Sequence, residues 1–300
     1  MDVRRPCGSD YLAAVSDLLH DVRRAGGLDA GLWEAADAQC WYPRDTHERP
    51  DAATFWNVGG RPVCAAVLTR WNLELCGADV LGDWTLDEPW EELVRRLDAL
   101  PEFDVDMAVA DNDQALIARA RSCGFVEVTE RLGIGRAQPA DVGTPEVLPR
   151  GFRVIARPDL PGPHPLSVRN GDDVERWLGE CSLYDPWCDL ALVTDSGDVV
   201  GYALFWPDPV TGIGLVEPVR VEDDYAGRGL GTALVRAGLR RLVERGCRHL
   251  KVVYGLDNPA RARLYAKAGF TQRSSAVTLR RPKGQPADDV AGLDHRVVAR

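Results

Sequence analysis

Three glycines alternate with other residues in "EDDYAGRGLGTAL", at Gly227, Gly229 and Gly231. Ahead of them lies "GIGLVEPVRV", rich in β-branched residues. Behind them Leu234, Val235, Leu239, Leu242 and Val243 mark one face of a helix that ends at Gly246. A strand, a glycine loop and a helix start together make an anion site. The first N–H groups of a helix lack internal partners, the helix dipole favours negative charge, and glycine lets a phosphate approach the backbone. One glycine suffices for a plain tight turn, so three in alternation favour a ligand. Two phosphate-binding patterns fail. No Lys-Ser or Lys-Thr follows Gly231, and G-x-G-x-x-G would need glycine at Thr232 or Leu234.

A second chemical signal sits just upstream. Glu217 is an acid inside the apolar run "LVEPV", next to Pro218. Proline cannot donate to a strand ladder, so Pro218 marks an edge, bulge or break in the sheet. A carboxylate in such a place can take up a proton or hold a cation. Glu217 is the candidate base or ammonium contact, direct or through water; an arginine partner or plain exposure is the competing reading. Asp189 and the acids Glu222 to Asp224 read as surface or turn acids.

The elements that must position these residues occur twice. "VDMAVADNDQALIARARSCGFVEVTERL" from Val105 and "LKVVYGLDNPARARLYAKAGFTQRSSAVTL" from Leu250 both read as strand, turn, short helix, Gly-Phe and strand. Gly124-Phe125 matches Gly269-Phe270 at an offset of 145 residues. Upstream of each lies a hairpin pattern, "ATFWNVGGRPVCAAVLTRW" and "DLALVTDSGDVVGYALFWPD", then a strand and a helix. The chain therefore reads as a tandem duplication of one α/β unit. The expected division is a first unit over residues 1–140, a Pro/Gly-rich linker over 141–151, a second unit over 152–282, and a tail over 283–300 without clear periodicity.

Composition narrows the function class. The 300 residues are 45% hydrophobic and 27% charged, as expected of a folded protein, with a net charge of −10. That charge argues against general nucleic-acid or anionic-membrane binding and leans slightly toward a cationic or amine substrate. No apolar run approaches the ~20 residues of a membrane span. The amphipathic start "MDVRRPCGSDYLAAVSDLLHDVRR" does not read as a signal peptide. The eight cysteines are scattered without C-x-x-C, and the five histidines do not cluster near them. No metal is expected; the cysteines read as reduced core residues of a cytoplasmic protein.

The glycine stretch resembles the coenzyme A pyrophosphate loop of the GCN5-related N-acetyltransferases, [RQ]-x-x-G-x-[GA], in the frame Ala226-Gly227-Arg228-Gly229-Leu230-Gly231. The departure is Ala226, where the family has a basic or amide residue. Backbone amides do most of that loop's work, and Arg228 is placed to supply positive charge. "DNPARARLYAKAGF" resembles the family's N-x-x-A-x-x-L-Y-x-x-x-G-F segment. Asn258, Ala262 and Tyr265 stand at or near the corresponding places, and alanine stands at both Ala260 and Ala262. The resemblance covers about Phe152 to Arg281.

It implies two tandem α/β units, each a mixed central sheet with helices on both faces, and acetyl-CoA as cosubstrate. Val219, Arg220 and Val221 would offer backbone groups to the pantetheine arm. Ala226, Gly227, Arg228, Gly229, Leu230, Gly231 and Thr232 would hold the pyrophosphate, and Asn258 and Ala260 would help position the cofactor. The Tyr265 hydroxyl would protonate the leaving thiolate. The implied reaction is direct acetyl transfer to a primary amine of a small molecule or peptide through a tetrahedral intermediate, with backbone N–H groups of the broken strand steadying the oxyanion. The alternative is a non-catalytic acyl-CoA-binding or regulatory protein.

The first unit differs at the same places. It has Ala120 where the second has Tyr265, and Asp113, beside Asn112, where the second has Asn258. Its matching loop, "DWTLDEPWEELV", carries Asp83, Asp87, Glu88, Glu91 and Glu92 and no glycine cluster, so it would repel a pyrophosphate. This unit reads as a degenerate copy that completes the substrate cleft or stabilises the other half. Of Trp33, Trp41, Tyr42, Trp56, Trp71, Trp84 and Trp90, most are expected in packing and one or two in a substrate pocket wall.

Overall fold

The computed structural model describes residues 2–41, 52–68, 72–77, 87–99, 104–144 and 147–283, with the Glu88 side chain excepted. Tyr42, Trp71, Asp83, Trp84 and nearly all of the expected tail lie outside the described residues. The first half runs β1 (Asp2–Arg4), α1 (Gly8–Gly26), α2 (Ala35–Cys40), β2 (Ala53–Val58), β3 (Arg61–Leu68), β4 (Leu73–Cys76), α3 (Asp87–Asp98), β5 (Val105–Ala110), α4 (Gln114–Ser122) and β6 (Val126–Ala137). The second runs β7 (Phe152–Ala156), α5 (Ser167–Asn170), α6 (Val174–Glu180), β8 (Asp189–Thr194), β9 (Val199–Pro207), β10 (Ile213–Val221), α7 (Leu230–Glu244), β11 (His249–Gly255), α8 (Pro259–Ala268) and β12 (Thr271–Arg281). The order of elements is thus the same in both halves.

Local geometry repeats with it. Gly124 and Gly269 end α4 and α8 at φ of 88° and 109°, conformations open to glycine. Phe125 N–H donates to the Ala120 carbonyl at 3.2 Å, and Phe270 N–H donates to the Tyr265 carbonyl at 3.0 Å. Ala120 and Tyr265 therefore occupy the same structural position, on the same turn of matching helices.

Strands β1-β2-β3-β4 form one sheet, and β5-β12-β6-β11-β10-β9-β8-β7 form another. The larger sheet is mixed: β10 and β11 are parallel, and its other pairs are antiparallel. The two halves exchange their last strands. β6, from the first half, pairs with β11 from Leu132 to Ala137, while β12, from the second, pairs with β5 from Ala276↔Ala110 to Arg281↔Val105. β6 and β12 also pair with each other, so the centre of the sheet alternates between halves.

Strand alternation covers both faces. On β9, Tyr202, Leu204 and Trp206 pack in the core with α1, α2 and α6, whereas Ala203 and Phe205 pack on the opposite face with α7. Phe55 and Ala65 of the first half join that same α1/α2 core, which is therefore shared by both halves. A separate core holds Trp56, Trp90 and Phe125 with α3 and α4.

α7 sits close to β9 because Gly238 has no side chain. A Cβ at that position would stand 2.0 Å from the Phe205 ring. Phe205 is itself buried in the sheet, so the ring has nowhere to retreat. Gly238→Ala is expected to destabilise the protein by about 1–3 kcal/mol and to lower the thermal midpoint by roughly 3–10 °C in calorimetry.

Candidate active site at the parting of two strands

The parallel pair β10–β11 holds only across Ile213–Leu215. Beyond Leu215 the register of β10 against β9 breaks between Val216 and Val219, where Pro218 lacks an N–H; the Glu217–Pro218 peptide is cis. From there β10 leaves β11. Its edge over Val219, Arg220 and Val221 faces no strand on the β11 side, while the other edge stays paired with β9. The Glu217 carbonyl is held in this irregular stretch by the Trp206 indole N–H, at 2.6 Å.

The glycine loop stands beyond the outer end of β10. Gly227 and Gly229 adopt φ of 76° and 81°, and a Cβ on either would point into open space. Gly229 is the N-cap of α7 and brings no side-chain cap. The first backbone bond there is Ala233 N–H to the Gly229 carbonyl, at 3.1 Å. The N–H groups of Leu230, Gly231 and Thr232 therefore have no intrahelical acceptor, which fits an anion with several oxygens. Gly231 has a separate reason to be glycine: a Cβ would stand 2.7 Å from Leu264 of α8. Ala226 N–H is used internally, donating to the Asp223 carbonyl at 3.1 Å. Arg228 lies with its guanidinium 5.2 Å from the Tyr225 ring centre and donates to the Asp224 carbonyl at 3.0 Å.

Asn258 is the N-cap of α8. Its side-chain oxygen accepts from Ala260 N–H at 3.0 Å and from Arg261 N–H at 3.4 Å. In the first half Asp113 caps α4 the same way, accepting from Leu116 N–H at 3.0 Å. The two caps share geometry but not charge.

Glu217, at the parting, and Tyr265, on α8, are the two candidate titratable groups, and the charge of the first is felt by the second. Burial first, then the charge of Asp37, pushes the Glu217 carboxyl up to about 8; a hydrogen bond from Trp41 and the charge of Lys251 work against this. Tyr265, 8% exposed, packs its ring 5.2 Å from that of Tyr254 and 5.9 Å from that of Phe270. Burial, then the charge of Glu217, raises its phenol above the ordinary value. Glu217 thus holds its proton up to about 8 in the ligand-free protein and is a carboxylate base above that, whereas Tyr265 keeps its proton through the same range.

Residues 155–270 match the acetyltransferase (GNAT) family model. The chain is 36% identical over 126 residues to the uncharacterized N-acetyltransferase YhbS of Escherichia coli, covering 40% of this chain and 72% of that protein. It belongs to the GCN5-related N-acetyltransferase family. A mycothiol acetyltransferase of Sanguibacter keddieii is 28% identical over 198 residues, or 56% of this chain; the chain spans 60% of that relative's length. A tandem GNAT protein from the clavulanic acid biosynthesis pathway, 15% identical, superposes with a TM-score of 0.64 over 95% of this chain and 99% of that one, a likeness of fold.

In this member of the family the surroundings of Glu217 come largely from the first half. Lys251 of β11 is fully buried, and its ammonium lies 3.2 Å from Glu34, 3.3 Å from Asp37 and 2.5 Å from the Leu32 carbonyl. Arg23 bonds Glu34 at 2.6 and 2.8 Å. Burial works against the Glu34 charge, but Lys251, Arg23 and Arg136 outweigh it and hold the carboxyl below its usual value. For Asp37 burial wins and the carboxyl is pushed up. This cluster anchors α2, whose end carries Cys40 and Trp41 to Glu217: the Cys40 thiol lies 3.7 Å from its carbonyl. Trp33 and Trp41 stand edge to face, ring centres 4.6 Å apart, and line a cavity of about 270 Å³ with Glu217 and Tyr254. A larger cavity, about 790 Å³, opens between β4 and β5 of the first half and includes Asp29, Asp113 and Asp141 among its lining residues.

One expectation is corrected. Asp189 is not a surface acid: it is 3% exposed and accepts hydrogen bonds from His164 Nε2 and the Tyr184 hydroxyl, both at 2.7 Å. Leu166 N–H donates to His164 Nδ1, which leaves Nε2 as the donor. Asp223 and Asp224 are exposed turn acids, and Glu222 pairs with Arg169 and Arg220.

The residue that sequence reasoning missed is Glu74. It lines the Glu217 cavity from β4 of the first half, is 6% exposed, and has one carboxyl oxygen without a hydrogen-bond partner. A signal existed: "LELC" occupies the place of "LVEP" in the repeat, so each copy carries a glutamate on that strand. Burial, then the charges of Asp37 and Glu217, pushes the Glu74 carboxyl up to about 8 from an ordinary 4.5. Between those pH values the folded protein keeps a proton that the unfolded chain releases, so this group's contribution to stability falls as pH rises from 4.5 to 8. Glu74→Gln is expected to raise the thermal midpoint of the ligand-free protein at pH 8 by about 2 °C or more, and to change it little at pH 5.

Proposed function

We propose that the chain is an acetyl-CoA-dependent N-acetyltransferase acting on a primary amine of a small molecule or peptide, with its catalytic centre where β10 parts from β11. The observation that carries this is the parting of β10 from β11, with a buried carboxyl, Glu217, at the break and the unbonded N–H groups at the start of α7 beyond it. Acetyl-CoA supplies an activated acetyl thioester. The loop from Gly227 to Thr232 fits its pyrophosphate through backbone N–H groups. The open edge of β10 over Val219–Val221 fits the extended arm, with Ala226, Asn258 and Ala260 shaping the ends of the two helices that flank it. The acidic cap Asp113 and the small Ala120 leave the first half without the corresponding equipment.

Glu217 removes the ammonium proton of the acceptor. From an ammonium of pKa about 10 to a carboxylate of about 8 the transfer is uphill by about 3 kcal/mol, against about 7 kcal/mol for an ordinary carboxylate at 4.5. Burial of Glu217 therefore serves the chemistry by making its carboxylate more basic. Tyr265 offers its O–H to the departing sulfur. Its raised pKa makes it a hydrogen-bond donor first, with full proton transfer following only as negative charge builds on sulfur.

Calorimetric titration with acetyl-CoA, combined with thiol release over a panel of amines, tests the reading. Tight binding without thiol release for any amine would favour an acyl-CoA-binding protein instead, and no binding would sink both. Tyr265→Phe is expected to lower kcat by roughly 10²-fold or more while acetyl-CoA affinity changes little. In wild type, kcat/KM for the amine should rise with pH through an inflection near 8, as Glu217 becomes ionised above that value. Glu217→Gln should lose that inflection and keep only the acceptor's own titration near about 10. An inflection that survives this substitution would remove Glu217 from the role of base.

A further inference from the structure

The 270 Å³ cavity at Glu217 is unusual in its charge. Glu74, Asp106, Glu130 and Glu217 line it from four different strands, and Arg261 is the one cationic side chain among its lining residues. Asp106 is neutralised by Arg280, through bonds of 2.6 and 2.7 Å. Among the described residues Glu74 has no such partner. It is 6% exposed with one carboxyl oxygen unbonded, although a buried polar atom left unpaired costs about 1–3 kcal/mol. It stands close enough to Asp37 and Glu217 for their charges to oppose its own, so the ligand-free site resists ionising these acids together. The edge-to-face pair Trp33 and Trp41 adds aromatic wall of the kind that attracts cations. The volume lies below the range of drug-sized pockets and suits a short acceptor.

We propose that this cavity receives a small amine bearing a second cationic group, and that Glu74 of the first half binds that second group while Glu217 faces the reacting amine. The inference rests on the acetyltransferase reading above. An ammonium supplies the hydrogen-bond donors that the open Glu74 oxygen lacks, and its charge favours the ionised form of the carboxyl it meets. A carboxylate on the acceptor would meet Glu74 and Glu130 instead. The two halves thus divide the work: one carries the acetyl donor and the base, and the other sets which amine is accepted. Glu74 is a specificity residue in this scheme.

Three acceptors of equal chain length test it: 1,4-diaminobutane, 1-aminobutane and 4-aminobutanoate, each assayed by thiol release with acetyl-CoA. The diamine is expected to exceed the monoamine by about tenfold or more in kcat/KM, with 4-aminobutanoate poorest. Glu74→Gln should bring the diamine-to-monoamine ratio to within about threefold, mostly through KM, and Glu74→Asp should restore part of it. Calorimetric binding of 1,4-diaminobutane to the wild-type protein and to Glu74→Gln reads the pocket without turnover. Equal diamine and monoamine turnover, a ratio unchanged in Glu74→Gln, or 4-aminobutanoate as the best acceptor would each overturn the proposal while leaving the acetyltransferase reading in place. Diamine binding that depends on Glu74, without acetylation of any amine, would support the pocket assignment and overturn the acetyltransferase reading.

Discussion

Lys251 is the point on which the arrangement turns. It is a fully buried ammonium on a central strand, and its partners Glu34, Asp37 and the Leu32 carbonyl all come from the other half of the chain. Buried ion pairs add little net stability, because desolvation consumes most of the attraction, but a broken one leaves a charge stranded. Such a pair acts as a register. It admits one seating of the Leu32–Cys40 segment on β11, and with that seating come Trp41, Cys40 and the Asp37 charge at Glu217. The Glu217 carboxyl is therefore tuned, after its own burial, by a charge carried on a helix of the other half.

The same dependence runs through the sheet. With β6 lying against β11 and β12 against β5, neither half closes its own hydrogen-bonded ladder. The first half has lost the acidic phenol and gained an acid at its helix cap, yet it cannot be shed. It supplies a strand, a shared core with α1 and α2, and the Glu74 wall of the cavity. Its persistence beside the second half has a structural explanation.

Much of this was legible in the sequence. The glycine alternation, the break at Pro218, the isolated acid Glu217 and the two Gly-Phe pairs are local signals, each fixed by backbone conformation or by a residue out of keeping with its strand. What escaped was set by partners far away in the chain. Lys251 in "HLKVVYG" reads like a lysine on the open face of a half-buried strand, and only the packing of α2 against that face buries it. Asp189 begins a strand, as turn acids do, and owes its burial to His164 and Tyr184. The strand exchange left no mark because β6 and β12 carry similar sequences after the same Gly-Phe turn, and either would satisfy β5 or β11 by pattern alone.

The exchanged strands also govern the order in which the protein can become complete. β5 presents Val105, Met107 and Val109 toward a core, but on one side its neighbour is β12, whose residues Thr271–Arg281 are among the last described. During synthesis the first half emerges before β12, so the native partner of that edge is not there until residues 271–281 have been made. An uncovered apolar strand edge is the feature nascent chains most need shielded. A chain that stops short of β12 therefore lacks the native partner of β5, and its first half can close that edge only by non-native pairing, with β6 or with another chain.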